Sequence, residues 1–178
     1  MKTFSLLLTL LLAISGCATS GPTLQSGIDP AGNPICLTDC KEIPSAIDAY
    51  LKNHDLITEE DEIDYLFYRI RTSQRRFIRN GEEHDGGSAA QFLRWKIERH
   101  KQKFDDPIKT DEDFVLKILE GSKTTGKPYE VIMPDGTKHN LQFVMVNELN
   151  YLERHEGETP DYPSTFLQNK TTQRIAER

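Results

Sequence analysis

The sequence predicts an α+β fold that is predominantly helical, with about four helices and two small β-hairpins in one small domain. Three observations predict it. Apolar residues recur at helical spacing in segments that open on capping residues. Two short runs with strand character are closed by Asn80-Gly81 and Pro134-Asp135-Gly136, the residue types that tight turns require. The length left after a leader and a tether suits one domain of roughly 100–150 residues, and an apolar content of 37% allows a single modest core.

Pro44-Ser45 opens the first helix, expected to run to about Lys52. Thr58 precedes Glu59, Glu60 and Asp61, an N-cap with acids in the first turn, and Ile63, Leu66, Phe67 and Ile70 form one apolar face. Arg76 to Glu82 reads as a hairpin around Asn80-Gly81, whose residues accept the positive φ of a type I′ turn. Gly86-Gly87-Ser88 breaks the chain, and Ser88 is the expected cap of a helix to about Phe104. Its stripe is Ala89, Phe92, Leu93, Ile97, His100 and Phe104, with the single Trp95 on the flank. Thr110 and Asp113 form a variant capping box for a helix through Glu120, closed by Gly121. A second hairpin spans Tyr129–Met133 and Thr137–His139. Asn140 then caps a last helix to about His155, cored by Leu141, Val144, Met145, Leu149 and Leu152.

The N-terminus carries a different signal. Lys2 precedes an apolar run from Phe4 to Ile14, and Ile14-Ser15-Gly16-Cys17 resembles a bacterial lipobox. The run is too short for a bilayer span of about 20 residues. The reading is therefore a lipoprotein signal peptide (1–16), with Cys17 as the lipidation site. Cleavage after Ala18 is the competing reading. Residues 17–43 are read as the lipidated cysteine and a flexible tether, since Ser, Thr, Gly and Pro dominate up to about Ile35. Residues 44–156 are the globular domain, and 157–178 a polar C-terminal tail. Ala18 follows the cysteine, and by resemblance to lipoprotein sorting this implies the inner leaflet of the outer membrane, facing the periplasm. With Cys17 acylated, Cys36 and Cys40 remain as an even pair in an oxidising compartment, a candidate disulfide. Zinc is the alternative reading of that pair, but no further ligands stand nearby.

Charge is unevenly distributed. The chain has a formal net charge of −6, yet residues 69–103 hold ten Lys or Arg against four acids, with acidic runs on both sides. Such a block either steers an acidic partner or pairs with its own flanks. Nucleic acid is not expected in that compartment.

Residues 58 to about 155 resemble a family of bacterial exported proteins of unknown function, DUF5329. The resemblance rests on Thr72-Ser73, Phe77-x-Arg79-Asn80-Gly81, Ser88-Ala89-Ala90-x-Phe92-Leu93-x-x-Lys96 and Asp113-Phe114. Ser122 and Gly126-Lys127-Pro128-Tyr129 complete it. It implies an exported, mostly helical domain and no established activity. It also implies a cysteine before the first hairpin and another in the later strand. Arg75 and Met133 stand at those positions here, so the core must hold the two hairpins together without that bridge.

Catalytic patterns are sparse. Gly126-Lys127-Pro128 lacks the upstream glycine and the hydroxyl residue of a phosphate loop. The five histidines are scattered, and Glu82-Glu83-His84-Asp85 cannot turn four adjacent side chains towards one ion. No metal and no cofactor is expected. The candidate binding residues are Arg75, Arg76, Arg79, Asn80, Lys127 and Tyr129. For Arg79 and Asn80 the plainer reading is a tight turn with Arg79 paired to a neighbouring acid. The expected function is a non-enzymatic interaction module, held at the membrane by its N-terminal lipid, with an envelope protein or peptidoglycan as partner. The alternative is a carboxylate-dependent glycan hydrolase using acids of residues 82–113.

Overall fold

The structure, a computed structural model, describes residues 24–104 and 107–156. The leader, Cys17 and the C-terminal tail lie outside the described residues. Helices α1 (Ile43–Leu51), α2 (Glu59–Thr72), α3 (Gly86–Phe104), α4 (Asp111–Asp113) and α5 (Leu141–Glu156) accompany four strands. The strands are β1 (Arg76–Arg79), β2 (Glu82–Asp85), β3 (Glu130–Ile132) and β4 (Lys138–Asn140). The fold is α+β, as expected. No helix among the described residues is long and apolar enough to cross a membrane.

The two hairpins join into one antiparallel sheet of order β2-β1-β3-β4. Arg76, Phe77 and Ile78 of β1 stand opposite Ile132, Val131 and Glu130 of β3, and this ladder links the hairpins directly. Asn80 (φ 56°) and Gly81 (φ 94°) turn the first hairpin in the left-handed conformation that the Asn-Gly pair tolerates.

Local chemistry sets the helix starts. Thr58 Oγ1 accepts from the Asp61 amide and Asp61 reaches back to the Thr58 amide, a complete capping box for α2. Helix α3 starts three residues earlier than expected. Its cap is Asp85, whose Oδ1 accepts from the Ser88 amide at 2.7 Å, rather than Ser88. The bonds from Ser88 also hold the Asp85 carboxyl below its usual range.

The helix expected through Glu120 is α-helical only over Asp111–Asp113. Phe114–Ile118 widens into a π-helical turn, and the Leu119 amide donates to the Phe114 carbonyl at 3.2 Å. Side chains from other elements take its carbonyls. Gln142 Nε2 donates to Val115 and Leu116, and Lys96 Nζ donates to Ile118. Those bonds hold open a turn that propensity alone would close.

Helix α5 lies at the centre. Val144 to Asn150 are buried without interruption, so the polar members of that run need partners from elsewhere. Part of the supply comes from residues 24–42, which the sequence reading assigned to the tether. This corrects that boundary: the segment is a strap packed on the domain. Gln25 pairs alongside β4, taking an amide bond from Asn140 and donating to Lys138, both at 2.9 Å. Asn147 Nδ2 donates to the Gly27 and Ile35 carbonyls, each at 2.8 Å. Cys36 and Leu37 belong to the hydrophobic core. Polar composition concealed this because the strap's stabilising contacts are mostly main-chain bonds, which composition does not record.

Cys36 and Cys40 are disulfide-bonded, with Cα atoms 5.3 Å apart. Between them, Leu37 presents its backbone to a buried ion pair. Glu148 Oε1 accepts from the Leu37 amide at 2.8 Å, and Glu148 Oε2 accepts from Arg69 Nε at 2.8 Å. Arg69 Nη2 reaches Thr38 Oγ1 at 2.8 Å, and Arg75 Nε donates to the Leu37 carbonyl at 2.7 Å. Arg69 is 5% exposed and Glu148 is fully buried.

Candidate functional site

The basic block separates into cations with structural partners and cations around a cavity. Arg69 is the core ion pair described above. Arg76 lies 3.5 Å from Glu83 across the first hairpin, and Arg94 bonds Asp64 of the acidic flank at 2.7 Å. Arg75 faces the strap, on a groove shared with Met133, Cys36 and Cys40. The positions where the family resemblance implies a second disulfide are thus neighbours, and the arginine there ties down the strap instead. Arg75 and Arg76 are therefore not part of one site with Arg79, which corrects the six-residue grouping.

Arg79, Asn80 and Tyr129 do come together, in a cavity of about 310 Å³. Three segments of chain build it. The first hairpin supplies Arg79 and Asn80, α3 supplies Phe92, Trp95, Lys96 and Arg99, and the segment entering β3 supplies Ser122, Thr124 and Tyr129. Lys127, expected with them, is exposed and does not line it; its carbonyl instead accepts from the Ser122 amide at 2.8 Å, closing the loop.

The walls are aromatic and cationic. Tyr129 meets Phe92 edge-on with centroids 6.0 Å apart, and Phe92 lies 5.6 Å from Trp95. The Arg79 guanidinium stands 3.9 Å over the Phe92 ring, and that of Arg99 is 5.8 Å from Trp95. The expected acid partner of Arg79 is thus replaced by a ring. Neither Arg79 nor Arg99 has a carboxylate partner among the described residues. Lys103 and Lys123 extend the positive charge around the rim, with Lys123 bonded to Glu120. No acidic side chain is among the residues lining the cavity.

Lys96 forms the floor. Its ammonium donates to the Ile118 and Gly121 carbonyls at 2.5 and 2.7 Å and lies 4.7 Å from the Tyr129 centroid. Burial lowers it from 10.5 to about 8, with Lys123 pushing the same way and Glu120 opposing. Burial likewise pushes the Tyr129 hydroxyl up to about 12. The Lys96 ammonium is thus held by two carbonyls, and Tyr129 supplies a neutral wall. Asn80 Oδ1 accepts from Thr125 Oγ1 at 2.7 Å, which fastens the hairpin turn to the neighbouring loop.

The sequence reading missed Phe92, Trp95, Lys96 and Arg99 as site residues. The available signal was on α3. Lys96 falls within its apolar stripe, and Trp95 and Arg99 stand one turn apart on the flank. Arg79, Asn80, Phe92, Lys96, Ser122 and Tyr129, which appeared as separate marks of a family resemblance, make up half of the cavity lining.

Among the described acids of residues 82–113, Glu98 alone lines a cavity, one of about 550 Å³ whose other acids, Glu60 and Asp64, come from α2. Glu82, Glu83 and Asp85 lie exposed on β2, the outer strand, and Asp113 accepts from Lys117 at 2.8 Å. Asp111 is the different one. It is buried and raised above the usual carboxylate range by that burial, while a bond from Glu62 opposes the shift. Its amide donates to Glu59 at 3.2 Å, and the three carboxylates lie within 4.8 Å of one another. They cluster at the N-termini of α2 and α4 and line none of the cavities described above.

No curated protein matches the chain, and no solved structure does. The model of a family of unknown function, DUF5329, matches residues 57–153. That interval contains all of α2 to β4, most of α5 and every residue lining the cavity. With more than half of its length matched, this chain belongs to the DUF5329 family.

Proposed function

We propose that this protein is a lipid-anchored, periplasm-facing envelope protein at the inner leaflet of the outer membrane. It acts as a non-enzymatic binding module whose ligand seat is the cavity between Arg79, Trp95 and Tyr129. The lipobox-like Ile14-Ser15-Gly16-Cys17 supports the anchor. The single observation that carries the binding reading is the cavity itself: aromatic walls and a cationic rim, with no acid among the lining residues. An anion entering it meets two guanidinium groups that have no carboxylate partner among the described residues. Desolvation of such a wall strengthens the attraction that draws the ligand in.

A photo-crosslinking residue at Thr124, on the rim, tests this in intact cells. The proposal predicts a recurrent adduct that disappears when Arg79 and Arg99 are both changed to Glu in a folded, normally abundant protein. An adduct pattern indifferent to that double change overturns it. The anchor has its own test: mass spectrometry of the mature N-terminus, expected to show an acylated Cys17 and contradicted by a free terminus at Thr19.

For the hydrolase alternative, the carboxyl raised by burial is that of Asp111, away from the cavity that Glu98 lines with Glu60 and Asp64. Glycoside hydrolysis needs two carboxyl groups flanking a substrate cleft, and the Asp111 cluster lines none of the cavities described.

A further inference from the structure

We propose that the ligand of this cavity is an acidic sugar: a pyranose ring carrying a carboxylate, with the ring stacked on Trp95 and the carboxylate held by Arg79 and Arg99. This rests on the cavity being the binding site, and it names the chemistry of what binds. Trp95 is 55% exposed and is the only tryptophan in the chain. Leaving so large an apolar surface in water is unfavourable, and the indole stands beside the cationic groups rather than apart from them. The face of an indole is electron-rich. The complementary surface is one with weakly positive C–H bonds on a flat ring, which the apolar face of a pyranose provides.

The carboxylate half follows from the guanidinium groups. Arg79 lies on the Phe92 ring, which restrains its guanidinium, and Arg99 stands near Trp95. An ordered planar fork matches a carboxylate bidentately at a small further entropic cost. Lys96 does not compete for the ligand because two carbonyls already hold its ammonium. Ser122 and Thr124 offer hydroxyl groups, and the committed Oδ1 of Asn80 leaves its Nδ2 as a donor. These suit ring hydroxyls. A cavity of about 310 Å³ is at the small end for ligand sites, roughly 300–1,000 Å³. It takes one substituted ring rather than a long chain.

Because Trp95 is the only indole, intrinsic fluorescence of the full chain reads this site directly. N-acetylmuramic acid and glucuronic acid represent two sources of the chemistry, a peptidoglycan sugar and a uronic acid polymer. N-acetylglucosamine supplies a ring without the acid, lactate an acid without the ring, and inorganic phosphate a different anion. The proposal predicts a saturable change in Trp95 emission with at least one acidic sugar. Affinity should fall at least tenfold for N-acetylglucosamine and for lactate, and at least tenfold again in Arg99→Gln, an exposed position that leaves the fold intact. Which acidic sugar binds more tightly identifies the source. Equal binding of lactate or phosphate overturns the sugar assignment while leaving the cavity as an anion site. Equal binding of the neutral sugar overturns the carboxylate. If no probe perturbs Trp95, while calorimetry on the same samples also registers no heat, both this inference and the binding role of the cavity fall.

Discussion

Replacing Glu148 by Gln keeps the size of a fully buried side chain and removes its charge. In the native protein that carboxylate accepts from Arg69 Nε at 2.8 Å, from Arg69 Nη2 at 3.3 Å and from the Leu37 amide at 2.8 Å. A glutamine has one acceptor oxygen, so its NH2 group must face either the guanidinium or the Leu37 amide, donor against donor. Arg69, 5% exposed, is then a buried cation without a counter-charge. Breaking a buried pair on one side costs about 3–5 kcal/mol, a large part of the roughly 5–15 kcal/mol that holds a domain together. Urea unfolding followed by circular dichroism measures the loss, and hydrogen exchange at Leu37 reports whether the strap is what loosens. Changing both partners, Arg69→Met with Glu148→Met, removes the stranded charge and leaves only the Leu37 amide and Thr38 without their partners. It should cost less than either single change. A loss under about 1 kcal/mol for Glu148→Gln, or a double variant as unstable as the two singles summed, refutes the claim that this pair fastens the strap to the core.

Four further outcomes follow from particular contacts. Lys96 drops from 10.5 to about 8 on burial, so between those values the unfolded chain binds a proton that the folded protein has released. Stability should therefore rise with pH from about 8 to 10, until Tyr65 and Tyr129, both pushed up by burial, begin to act in the opposite sense. Lys96→Met should abolish the rise, measured as urea midpoints at several pH values; an unchanged slope contradicts it. Thr58→Ala removes one half of the α2 capping box and should cost about 1 kcal/mol by the same unfolding assay. Reducing the Cys36–Cys40 bridge, or changing both residues to Ser, should cost about 2 kcal/mol, because so short a loop removes little denatured-state entropy. Gly27 has φ 74°, and an added Cβ would stand 2.8 Å from the Phe143 Cβ, so Gly27→Ala should speed hydrogen exchange across residues 25–38 before the rest of the domain.

The two hairpins and most helix boundaries were legible because their signals are local. A Thr three residues ahead of an acid and an Asn-Gly between short strand-like runs act within a few residues, and the fold obeys them. The join between β1 and β3 was not legible, since nothing in Phe77-Ile78 names Val131 as its neighbour. The π-helical turn was hidden for a related reason: Lys96 and Gln142, distant in sequence, decide its hydrogen bonding. Charge misled most. Arg69 counts in the sequence as one cation of a basic block, whereas it belongs to the core. Its position beside Leu66 and Ile70 on the α2 stripe, with Glu148 between Met145 and Leu149 on the α5 stripe, was the available sign. Arg79, Asn80 and Tyr129 line one cavity for a reason the sequence does not display: α3 places Phe92 against both Arg79 and Tyr129. The strap escaped notice because main-chain hydrogen bonds leave no mark on composition.

The central claim is that the cavity of Arg79, Trp95 and Tyr129 is where this protein binds. Nuclear magnetic resonance of the full chain, titrated with N-acetylmuramic acid, tests it residue by residue. The account predicts saturable shifts confined to the Trp95 indole, the Arg79 and Arg99 guanidinium groups and the amides of residues 122–124, all lost in Arg79→Glu with Arg99→Glu. Shifts centred on the strap at residues 25–40, or shifts that survive the double charge reversal, would contradict it.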